Sequence, residues 1–169
     1  MYVCLFVATA VERKMASFQL GVLFAGLFLL ILWGPSGACM YVAFSAGLSD
    51  NVKLQANDKL RYDRVTTNVG SALNATTGMF TCPQSGLYQF HVHAFPIRGL
   101  RLWMSLYLKD IPIISVYAES QSSGGHSVVV FVNKGDTVYV AAKVPSKMYG
   151  GSNDIYTTFT GYLISPYLN

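Results

Sequence analysis

Residues 79–92 read Met-Phe-Thr-Cys-Pro-Gln-Ser-Gly-Leu-Tyr-Gln-Phe-His-Val, and the period of this stretch decides the fold. Side chains alternate across an extended backbone, so Tyr88, Phe90, Val92 and Ala94 share one face while Gln89, His91, His93 and Phe95 share the other. Pro83 to Gly86 separates a short apolar run, 79–82, from the longer run 87–95, as turn residues do between strands. The same period continues downstream. Leu100, Leu102, Met104, Leu106 and Leu108 make an apolar face over 100–109, opposite Arg101, Trp103, Ser105, Tyr107 and Lys109, a face suited to water and a partner subunit together. Apolar or alternating runs at 41–46, 60–62, 112–117, 127–132, 137–144 and 156–164 bring the candidate strands to nine, and no ten consecutive residues keep a helical period. The domain reads as all-β, and that many strands need two packed sheets.

The chain of 169 residues is 52% hydrophobic, 14% aromatic and 12% charged, which excludes a disordered or collagen-like polymer. Its net charge is +4, and from residue 39 onward ten cations stand against seven carboxylates. These cations are scattered rather than striped, so no nucleic-acid partner is expected. Upstream, Arg13 and Lys14 precede the charge-free block 20–33, and Gly34, Pro35, Ser36, Gly37 and Ala38 follow it. That order reads as a secretory signal peptide over 1–38, cut near Ala38, with Met15 as a second possible start. Counted back to Ala16 the block is long enough for a retained membrane anchor, which stays the alternative. The mature domain is then 39–169 and extracellular. Cys39, at the terminus that cleavage creates, is a candidate for a disulfide between subunits or an unpaired cysteine, and Cys82 reads as a small buried hydrophobe.

Catalytic constellations are missing. The sequence contains no Gly-x-Ser-x-Gly elbow, no phosphate-binding Gly-Lys loop, no His-Glu-x-x-His and no paired-cysteine zinc spacing, so no enzyme is expected. His91-x-His93 puts two imidazoles on one strand face, where they are polar surface residues, a partial metal site or a mild acid sensor. Gly135-Asp136 reads as a hairpin turn; a lone carboxylate is a poor calcium site, so calcium and other cofactors are not expected. The Gly/Ser-rich stretches 120–127 and 149–154 read as loops that open no helix and cradle no phosphate. Asn74-Ala75-Thr76 is a glycosylation sequon in an expected loop.

Four residues separate Asn68 from Leu73, six separate Leu73 from Phe80, and five more stand between Phe80 and Gly86-x-Tyr88-x-Phe90. With Val42-Ala43-Phe44-Ser45-Ala46, the turn and strand 77–83, Gly135-Asp136 and the closing Phe159-Thr160-Gly161-Tyr162, these residues resemble the globular domain of the C1q and tumour necrosis factor superfamily. Tyr62 stands where that pattern has its first Phe, a mild change, and Val92 stands where a final aromatic is usual. No Gly-X-Y repeat precedes the domain, so the resemblance implies a head-only member. It further implies a ten-stranded jelly roll of two antiparallel sheets assembling as a homotrimer or higher oligomer. Tyr88 and Phe90 are then packing residues, and Gly86 and Gly161 serve backbone geometry or close approach.

The leading functional expectation is a secreted, non-enzymatic recognition protein of innate immunity. The resemblance implies microbial glycans, lipopolysaccharide, anionic lipids or a cell-surface protein as ligand. The alternative is a receptor-binding signalling or synaptic-organiser-type ligand. Arg98 and Arg101 in the 96–101 connection, with Lys147 and Tyr149 in the 145–154 loop, are the expected ligand-binding residues, because cations beside aromatics suit anionic or sugar ligands.

Overall fold

The computed structural model describes residues 41–120 and 122–167. The leader, Met15 and Cys39 lie outside that range, so the signal-peptide and intersubunit-disulfide expectations fall on residues that are not described. The described chain forms twelve strands and no helix: β1 Ala43–Gly47, β2 Val52–Leu54, β3 Arg64–Val69, β4 Leu73–Asn74, β5 Met79–Thr81, β6 Gly86–Ala94, β7 Leu102–Leu108, β8 Ile111–Ala118, β9 Gly124–Val132, β10 Thr137–Ala142, β11 Ser146–Met148 and β12 Thr158–Pro166. Two five-stranded antiparallel sheets, ordered β3-β1-β12-β6-β9 and β4-β5-β10-β7-β8, make the jelly roll, and β11 pairs with β2 in a separate ribbon. Ten strands thus lie in the two layers, as expected, with two more in the ribbon.

Between the sheets lies an aromatic core. Phe80 of β5 meets Phe90 of β6 edge to face at 5.5 Å and stacks on Phe44 of β1 at 5.3 Å, so one ring from the second sheet anchors two from the first. Phe159 closes the group edge-on to Phe44 at 4.7 Å. Each such buried ring contributes about 1.5–3 kcal/mol through removal from water, plus a smaller amount from ring geometry. Gly161 passes over these rings with no space to spare: a Cβ there would lie 2.6 Å from ring atoms of both Phe44 and Phe90. Asn68 works at the chain level. Its side chain donates to the Leu73 carbonyl (2.8 Å) and accepts from the Leu73 amide (3.1 Å), tying β3 to β4 across the intervening turn.

Several sequence expectations need correction. Residues 60–62 form no strand: Lys59 bridges Ala141 and the Leu60 amide donates to Val140, so the segment runs beside β10 and buries Leu60 and Tyr62 without a ladder of its own. The strand Arg64–Val69, mostly polar and exposed, was not expected, and neither were the short β2, β4 and β11. Strand β7 begins at Leu102, leaving Leu100 exposed rather than on the core face, and β12 begins at Thr158 rather than at residue 156. Ser105, expected on an outer face open to water, is 1% exposed and hydrogen-bonded to Ser115 at 2.7 Å. The stretch 124–127, read as loop, is the start of β9. Lys147, also read as loop, lies within β11. Tyr62 is no mild replacement for Phe, because its hydroxyl is buried and finds no hydrogen-bond partner among the described residues.

Candidate functional site

The ribbon of β2 and β11 sets Lys53 directly opposite Lys147. Like charges opposed across an antiparallel pair repel, so the arrangement costs stability unless something anionic sits between them. Arg101, just before β7, reaches the same cleft, whose floor and walls are Leu54, Leu100, Pro145 and Ser146. The cleft encloses about 310 Å³, and no carboxylate lines it. Local bonds hold its frame: the Ser146 hydroxyl donates to the Val144 carbonyl at 2.8 Å and accepts from the Trp103 amide at 3.4 Å. The Lys147 carbonyl accepts from the Ile97 amide at 3.1 Å, which pins the connection leading to Arg101. Arg101 and Leu100 also line a neighbouring depression that holds Glu119. Its carboxylate accepts a 2.5 Å bond from the Tyr117 hydroxyl, a bond that pushes the phenol above its ordinary range and is only partly opposed by Arg101.

The structure therefore brings together Arg101 and Lys147 of the four expected ligand residues and adds Lys53, which sequence reasoning missed. Arg98 is exposed on the turn before Leu100 and does not line the cleft. Tyr149 lies elsewhere, packed on Phe95 at 6.3 Å and Tyr156 at 5.6 Å. Nothing in Val52-Lys53-Leu54 by itself marks a site; only its register with Ser146-Lys147-Met148 does. A larger groove of about 840 Å³ carries Asp50, Asp58 and Asp63 beside Lys59 and Arg61. Its charges are of mixed sign and all three carboxylates are engaged locally, Asp58 by the Gln55 amide, and Asp50 and Asp63 by Ser49.

The other singled-out residues take ordinary places. Cys82 is a buried free thiol, raised by burial and bonded to the Gln84 carbonyl at 3.0 Å. Gly135 turns with a φ of 88°, and Asp136 pairs with Lys109 at 2.8 Å while accepting from the Asn133 amide, so its carboxylate is committed to the hairpin. Among the described residues no three His, Cys, Asp or Glu side chains gather where a metal ion would fit. His91 and His93 do share the outer face of β6, with His91 stacked on Tyr162 at 6.0 Å. Asn74 is exposed at the end of β4, its Oδ1 accepting from the Thr76 and Thr77 amides.

A two-sheet sandwich carrying a cationic cleft on a peripheral ribbon defines a binding head. Comparison with known proteins agrees: the C1q domain family model matches residues 43–164, and the chain belongs to that family. Domains of this kind are generally non-enzymatic, extracellular-type ligand-binding modules. The globular domain of zebrafish complement 1qA protein superposes with a TM-score of 0.61 at 23% identity, over 75% of this chain and 99% of that one. Eiger TNF from S. frugiperda gives 0.62 at 12% identity, over 76% and 96%. Murine APRIL gives 0.60 at 10% identity, over 73% and 99%. All three likenesses speak for the fold.

Proposed function

We propose that this protein is a secreted, trimeric recognition head whose cleft between Lys53, Arg101 and Lys147 takes the anionic groups of extracellular ligands, such as the phosphates of lipopolysaccharide or the carboxylates and sulfates of microbial glycans. The observation that carries this reading is the direct opposition of Lys53 and Lys147, with Arg101 beside them and no carboxylate in the lining. An anion entering the cleft relieves that repulsion, and the apolar floor strengthens the interaction by excluding water. Loops and short ribbons on a rigid sandwich are where binding residues concentrate.

Trimer formation rests on a different face. Strands β1, β6, β9 and β12 contain no Asp, Glu, Lys or Arg. Leu87, Val129, Phe131 and Tyr162 are exposed on their outer side, with Tyr167 packed edge-on against Phe131. A charge-free, aromatic sheet face of this kind suits burial against further copies of the chain. Three heads then present three clefts, so that weak individual contacts add up on a repetitive surface.

The test uses the secreted protein and its K53Q/R101Q/K147Q variant against lipopolysaccharide, anionic glycans, and neutral glycans of similar size. Selective binding to the anionic probes, weakened at least tenfold in the variant, is the expected result. Equal binding to neutral and anionic probes, or an unchanged variant, would overturn the reading.

A further inference from the structure

The turn from β4 into β5 carries the chain's only Asn-x-Ser/Thr triplet, Asn74-Ala75-Thr76, and the fold gives it a particular setting. Asn74, Ala75, Thr76 and Thr77 are all exposed. The Asn74 side chain is held through Oδ1, which accepts from the Thr76 amide at 2.9 Å and from the Thr77 amide at 3.2 Å. Its Nδ2 makes no hydrogen bond among the described residues, whereas Asn68 and Asn133 both donate theirs within the protein. Leu73 faces Phe80 of the core, so Asn74 and its cross-strand partner Met79 share the outer face of the second sheet, with β4 at that sheet's edge. The charge-free strands β1, β6, β9 and β12 belong to the other sheet. The large groove begins beside the triplet. Thr77 and Met79 line it, together with the apolar Val52 and Leu54 and with Lys59, whose Nζ lies 3.7 Å from the Met79 sulfur.

We infer that Asn74 carries an N-linked oligosaccharide whose first sugars rest on the Thr77–Met79 lip of the groove. Export, which is part of the proposed function, is a precondition, because the sugar donor, an oligosaccharide on a lipid pyrophosphate, is met in the secretory pathway. In the transfer a bond forms between Nδ2 and the anomeric carbon of the first N-acetylglucosamine, and the bond from that carbon to the pyrophosphate oxygen breaks. The lipid pyrophosphate leaves with the bonding pair, and the amide gives up one proton. Three features of the fold fit the product. The modified nitrogen has no internal bond to lose, while Oδ1 remains a carbonyl oxygen and keeps the turn. The oligosaccharide leaves from the sheet opposite the charge-free strands, so it does not obstruct self-association. And the groove beside it, about 840 Å³ and so within the usual size of a ligand site, suits a neutral sugar. Its charges are of both signs and its carboxylates are already engaged, whereas sugar hydroxyls both donate and accept.

The test uses the full chain expressed in animal cells and recovered from the medium, with T76A to abolish the triplet while leaving the Asn74 turn bonds and T76S to restore it. Wild type and T76S are expected to lose mass on treatment with an amidase that releases N-linked glycans, with Asn74 converted to Asp, and T76A is expected to show neither change. Peroxide then reports where the sugars lie. Met79 should be oxidised at least about threefold faster in T76A, and in wild type after glycan release, than in glycosylated wild type, while the buried Met104 and Met148 react alike in all three. Secreted protein with an unmodified Asn74 overturns the inference and leaves export standing. A glycan at Asn74 whose removal does not change Met79 oxidation overturns its seat on the groove. Protein that stays inside the cell without a glycan overturns export and modification together.

Discussion

At the scale of single residues, the departure of Tyr62 from the family's Phe leaves a hydroxyl in the core with no partner among the described residues, and burial raises its phenol strongly. A buried, unsatisfied hydroxyl costs about 1–3 kcal/mol. Tyr62→Phe is therefore expected to raise unfolding free energy by about that amount in urea titration, and a neutral or destabilising result would mean that the hydroxyl is satisfied. Gly161→Ala goes the other way. Its methyl collides with Phe44 and Phe90, so about 1–3 kcal/mol of stability should be lost through displaced rings. Asp136 responds to acid: burial raises its carboxyl, but bonding to Lys109 and Asn133 and the lysine charge outweigh that and hold it below the ordinary carboxylate range. The stabilisation from this pair is present at neutral pH and is lost as pH falls through the carboxyl's lowered range. Asp136→Asn should thus be slightly less stable than wild type at neutral pH, by under about 1 kcal/mol because the Lys109 partner is solvent-exposed, with the gap closing in acid.

Among the elements, β6 was the most legible in sequence, because its period of two runs unbroken from Tyr88 to Ala94 between turn residues. β7 was nearly so. β3 was not, since Arg64-Val65-Thr66-Thr67-Asn68-Val69 is an exposed edge strand with no apolar face to report, although its β-branched residues were a signal. Residues 60–62 misled because burial of Leu60 and Tyr62 comes from packing beside β10 rather than from a ladder. The cleft was half legible: Arg101 and Lys147 are cations near turns, whereas Lys53 gains its meaning only from the register of β2 against β11, a long-range pairing that no local pattern encodes. His91 faces Ser127 and Thr160, and His93 faces Gly125 and Thr158, with the Tyr162 ring nearby and no carboxylate on the neighbouring strands.

At the level of the whole molecule, the two sheets and the ribbon differ in charge. Strands β1, β12, β6 and β9 of one sheet carry no Asp, Glu, Lys or Arg and suit self-association. The ribbon of β2 and β11, with Arg101 beside it, carries the cations of the proposed cleft. A lysine placed at Val129 should break the assembly into monomers in sedimentation without altering the ring contacts of the core, and loss of avidity on a repetitive surface should accompany it. A salt titration of binding to an immobilised acidic glycan tests the proposed cleft. Affinity should fall steeply as salt rises, because the cleft's cations supply the attraction, and K53Q/R101Q/K147Q should flatten this dependence as well as weaken binding. Affinity that holds constant across the salt series, in wild type and variant alike, would contradict it.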